Sequence, residues 1–102
     1  MTLDDTDMTG APTTVTREPD RFTIAVDGRE VGLADFSDQA GRRSFFHTEV
    51  DPAFRGRGLA TILVAHALAA TRADGLRIVA PCSMVADYLD RSGEYDDLVD
   101  PV

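Results

Sequence analysis

Lysine is missing from this sequence and cysteine nearly so: all ten basic residues are arginine, and Cys82 is the one thiol. A lone cysteine closes no intramolecular disulfide, and no cluster of cysteines and histidines has the spacing of a metal site, so the chain reads as cytosolic. Positive charge is also scarce, with 18 acidic residues against 10 basic ones and a formal net charge of -8. Nucleic-acid binding by counterion release needs a clustered basic face, which this composition does not supply. No hydrophobic run reaches the length of about 20 residues that spans a bilayer. The longest, Leu59 to Ala70, is interrupted by Thr61 and His66. The N-terminus is acidic, unlike a signal peptide. Nucleic acid and membrane are therefore excluded as expected partners.

What remains is enough for one small domain of 102 residues. A chain this short buries only about 60–65% of its unfolded surface, so a ligand groove is expected near the surface. Arg42, Arg43, Arg55 and Arg57 fall within sixteen positions and are expected to form a small positive site on an acidic body, suited to a phosphorylated small molecule.

Residues 1–20 are rich in Thr, Asp and Pro and show no apolar period, so they are expected to be a mobile leader, with the domain over 21–102. From Arg21 the pattern alternates. Phe22, Ile24 and Val26 share a face, and Asp27-Gly28 is a strong hairpin signal. A second strand is predicted over Glu30 to Phe36, with a turn in Ser37 to Gly41. A third follows over Arg42 to Val50, where strict alternation groups Phe45, His47 and Glu49 on one face. After Asp51-Pro52 and an arginine-glycine loop, Leu59 to Thr71 carries a broad helical stripe ended by Asp74-Gly75. Leu76 to Ala80 reads as a short buried strand stopped by Pro81, and Ser83 is expected to cap a last helix that Ser92-Gly93 terminates. The fold class is α+β: an antiparallel three-stranded meander, a helix, a parallel strand and a C-terminal helix.

Backbone N–H groups at the start of a helix lack intrahelical acceptors, and the helix dipole adds positive charge there. Gly56 and Gly58 let the backbone approach an anion closely, with Arg55 and Arg57 adding charge. The loop Arg55-Gly56-Arg57-Gly58-Leu59-Ala60 resembles the Q/R-x-x-G-x-G/A pyrophosphate loop of the GNAT acetyltransferase superfamily, with Arg55, Gly58 and Ala60 at its defining positions. Phe46-His47-Thr48-Glu49-Val50, Val79-Ala80-Pro81-Cys82 and Val85-Ala86-Asp87-Tyr88 are similar to the small GNAT-like domains of roughly a hundred residues, over about Arg21 to Leu98. The resemblance implies an N-acetyltransferase that binds acetyl-CoA where two parallel strands splay. It implies coenzyme contacts from Val50, Arg55, Gly56, Arg57, Gly58, Leu59 and Ala60, with Cys82 and Ser83 beyond the second strand. The N-terminal helices that help wall the acceptor site in longer relatives find no room here before the first predicted strand.

Acetylation of an amine needs an uncharged nitrogen, so a base must take its proton. Glu49 and His47 lie on one face just before the loop. A glutamate starts near pKa 4.3 and needs burial or a water relay; a histidine starts near 6.5. Glu49 is the preferred base, with His47 as orienting partner or alternate base. Tyr88 matches the position where such enzymes often carry a tyrosine general acid, and it can equally be a core aromatic. Cys82 precedes a helix N-terminus, a setting that lowers a thiol's pKa, which leaves open a nucleophile, a coenzyme contact or an inert small side chain. The expected partners are acetyl-CoA and an amine acceptor; the alternative is a non-catalytic acyl-CoA or CoA binding module.

Overall fold

Asp27 and Gly28 both adopt positive φ, 50° and 82°. That is the geometry in which a two-residue turn matches the twist of its flanking strands. Ala40 and Gly41 repeat it at 55° and 77°, so the second turn is tighter than predicted and its strand runs on to Gln39. These turns join β3 (Arg21–Val26), β4 (Arg29–Gln39) and β5 (Arg42–Val50) into the antiparallel meander expected from the sequence. The computed structural model describes the backbone of residues 2–102 and the side chains from Thr6 onward.

Two further strands precede the meander. β1 (Thr2–Thr6) and β2 (Pro12–Arg17) form a hairpin that pairs with β3, in place of the mobile leader expected over residues 1–20. The cause is a β-branched run, Thr13 to Thr16, in which Thr13 and Val15 alternate into the core. The sheet therefore has six strands in chain order, and β6 (Arg77–Val79) pairs in parallel with β5.

Helix α1 (Leu59–Ala73) makes the connection from β5 to β6 and packs on β3, β4, β5 and β6. Its buried stripe of Leu59, Leu63, Val64, Ala67, Leu68 and Thr71 follows the helical period. It faces Phe22, Phe36 and Phe45, whose ring centroids lie 5.3–6.5 Å apart. Burial of each such ring stabilises the fold by about 1.5–3 kcal/mol. The last helix, α2 (Ser83–Ser92), packs beside α1 and against β5, and ends at Gly93 with φ 64°. Its N-cap is Cys82, whose backbone is extended; Ser83 is already helical and does not cap it, contrary to expectation.

The outer side of β6 is closed by the chain's last turn. Ile78 donates to the carbonyl of Leu98 and accepts from the amide of Asp100, and the Asp100 carboxylate pairs with both Arg42 and Arg77. Among the described residues, no helix is long and apolar enough to cross a membrane.

Candidate active site

The site starts from a slip in β5. Asp35 pairs with His47 but Phe36 pairs with Phe45, so Phe46 has no opposite residue and is 54% exposed. This β-bulge resets the alternation. Phe45 points into the core with Thr48, while His47 and Glu49 face solvent together, so the predicted grouping of Phe45 with those two is corrected. His47 Nε2 lies 3.0 Å from Glu49 Oε1.

The same region is where β5 and β6 part. Their parallel register covers Arg42 to Ser44 against Arg77 to Val79, and one further bond joins the Cys82 amide to the Phe45 carbonyl. Pro81 has no N–H to extend the ladder. β5 continues to Val50 paired with β4 alone, and beside this stretch lies a cleft of about 790 Å³. Its walls include Gly32, Leu33, Thr48, Glu49 and Val50 from the sheet and Met84 from α2.

The floor of the cleft is the predicted loop. Asp51 ends the strand and accepts from the Ala53 amide, starting a one-turn 3-10 helix (Pro52–Phe54). Gly56 and Gly58 then take φ 79° and 77°, and Gly58 is the N-cap of α1 without a side-chain cap. The first bond inside the helix is from the Ile62 amide to the Gly58 carbonyl. The amides of Leu59, Ala60 and Thr61 thus have no helical acceptor, and all three residues line the cleft. Amides so arranged are suited to an anion.

The arginines do not assemble as the sequence suggested. Arg55 is exposed, lines the cleft and has no ion pair among the described residues. Arg57 is turned from it onto Asp7, with Nε and Nη2 both 2.7 Å from Oδ2. Arg42 pairs with Asp100. Arg43 is 1% exposed, bidentate on Asp38 at 2.7 and 2.9 Å, with Nη1 3.0 Å from Asp74 Oδ2 at an angle that makes no hydrogen bond. Its guanidinium lies 4.4 Å from the centre of the Phe36 ring. Burial disfavours the cation, but Asp38 and then Asp74 outweigh it and raise its pKa.

Of the other candidates, Val50, Arg55, Gly56, Gly58, Leu59, Ala60 and Glu49 line the cleft, and His47 braces Glu49 from outside it. Cys82 sits behind Thr48, its Sγ 3.5 Å from Thr48 Oγ1. Burial pushes the thiol up, but the Thr48 hydroxyl and the nearby amides of Val85 and Met84 overcome it, and the net shift is downward. Ser83 is exposed and does not line the cleft. Tyr88 is half-buried against the core, away from the cleft lining. Thr48 and Met84 were missed by sequence reasoning; the bulge hid the first, and the second gave no signal beyond its place in an apolar stripe.

A family model described as GCN5-related N-acetyl-transferase matches residues 21–98. The solution structure of a GCN5-like candidate N-acetyltransferase from Staphylococcus aureus superposes with a TM-score of 0.67 at 19% identity, covering 86% of this chain and 88% of that one. That likeness is one of fold. No curated protein matches the sequence.

Proposed function

Because this chain belongs to the GCN5-related N-acetyl-transferase family and is an acyltransferase by class, we propose that it transfers an acetyl group from acetyl-CoA to an amine. The observation that carries the reading is the set of unpaired amides at the start of α1, on the floor of the cleft beside the stretch of β5 that β6 does not reach. A pyrophosphate accepts from those amides and from Arg55. The pantetheine arm then lies along β5, whose unpaired edge offers backbone partners, and brings the thioester toward Thr48 and Glu49.

Glu49 takes the proton as the amine nitrogen attacks the thioester carbonyl; the carbon–sulfur bond breaks, and the thiolate takes that proton back from Glu49, directly or through water, so that the coenzyme leaves as a thiol and the carboxylate is restored. His47 holds the Glu49 carboxylate through Nε2. The burial that a glutamate base was expected to need is lacking in the free protein, where Glu49 is 62% exposed, so closure by substrate or a water relay supplies it.

Titration calorimetry with CoA tests the coenzyme. One site is expected, and Gly58→Val should weaken it at least tenfold, because Gly58 has φ 77° and a Cβ there would meet Met8 Cγ at 3.1 Å. No heat at millimolar CoA would defeat the proposal and the CoA-binding alternative together. A binding module is distinguished by the absence of turnover in an acceptor screen with free-thiol detection.

A second route, in which the Cys82 sulfur attacks the thioester, expels CoA and passes the acetyl group to the amine, has the lowered thiol in its favour and the place of Cys82 behind Thr48, outside the cleft lining, against it. Mass spectrometry after acid quench should then find one acetyl group on Cys82, and its absence during turnover removes this route.

A further inference from the structure

We propose that the β1–β2 turn is a working part of the phosphate loop, with Asp7 as the positioning residue that fixes Arg57 and the backbone at the start of α1. The inference rests on the coenzyme reading above, and it concerns a segment outside residues 21–98 that match the family. Asp7 divides its carboxylate between two tasks. Oδ1 accepts from the Thr9 amide at 2.8 Å, the Thr9 hydroxyl at 2.6 Å and the Ala11 amide at 3.0 Å, which shapes the turn. Oδ2 accepts from Arg57 Nε and Nη2, which ties that turn to a loop fifty residues away.

A second tie runs through the backbone, from the Met8 amide to the Arg57 carbonyl at 3.0 Å. The Met8 side chain lies over Gly58, and the Arg57 guanidinium stacks 4.9 Å from the centre of the Phe54 ring. Residue 57 is held by side chain and carbonyl at once, between two glycines. Glycines lose the most conformational freedom on ordering, so a loop built on them binds well only if something else has ordered it. The hairpin does so before any ligand arrives. The Asp7 side chain is fully enclosed, and its carboxyl is lowered to about 2, chiefly by the Thr9 hydroxyl, with burial opposing and the Thr9 and Ala11 amides and Arg57 assisting.

Hydrogen exchange of ligand-free protein and kinetics with two acetyl donors test this. In Asp7→Asn, the Met8 and Ile62 amides, which donate to the Arg57 and Gly58 carbonyls, should exchange several-fold faster, and kcat/KM for acetyl-CoA should fall about tenfold, the loss of one charge-assisted anchor. S-acetylpantetheine lacks the pyrophosphate, and its kcat/KM should stay within about twofold of wild type. Arg57→Lys keeps the charge but not the fork, and should give the same pattern if Asp7→Asn fails to fold. Unchanged exchange at the Met8 and Ile62 amides, or equal losses for both donors, would overturn the proposal. If wild-type protein binds no CoA, the coenzyme reading fails, and loop exchange alone then decides whether the hairpin orders the loop.

Discussion

The two ends of β5 use charge in opposite ways. At the Arg42 end the strand pairs with β6, and every cation is answered by a carboxylate: Arg43 by Asp38 and Asp74, Arg42 by Asp100. At the Val50 end β6 has turned away, and among the described residues His47 and Glu49 have an ion pair only with each other, both about half exposed or more. Ionic groups are tolerated inside when their partners are built in, whereas a group that must act on a substrate has to keep a face open. The Phe46 bulge and Pro81 mark the boundary, one by ending the regular alternation and the other by ending the ladder.

Substitutions at each end sharpen this contrast. Arg43→Ala should lower stability in urea by about 2–3 kcal/mol, since it removes a buried stem and leaves Asp38 without its partner, while Asp74 keeps Arg17. Acetyl transfer per folded molecule should persist, and a loss of activity greater than the loss of folded protein would break the contrast. Glu49→Gln should lower kcat about a hundredfold while leaving urea stability within about 0.5 kcal/mol and CoA affinity unchanged. Full activity in that variant would shift the base to His47. The smallest effect belongs to Ala40, whose φ of 55° is awkward for alanine: Ala40→Asn should raise stability by about 0.5 kcal/mol through easier access to the left-handed region. No gain would show that strain at the paired end is relieved elsewhere.

Much of this was legible because local chemistry decided it. Asp27-Gly28 turns as its φ demands, Leu59 to Ala73 coils along its apolar stripe, and the Gly56/Gly58 loop opens onto a cleft. The failures share a different cause. Strict alternation cannot show an inserted residue, so Phe46 shifted the assignment of every side chain before it relative to those after. The partner of Arg57 lies fifty positions away, beyond any local pattern, and Arg43 became a buried residue only because Asp38 and Asp74 meet it there. Residues 12–17 did carry a signal in their β-branched run, but threonine and aspartate content outweighed it.

The last turn of the chain leaves the sheet with one answered border. Ile78 has spent its outward amide and carbonyl on Leu98 and Asp100, so among the described residues the full strand border left to another is that of β1, the open stretch of β5 lying along the cleft. A molecule with a single adhesive border can be joined pairwise, β1 to β1, and the union uses up both borders. Growth into an open-ended ribbon requires two such borders, and sealing β6 removes one of them.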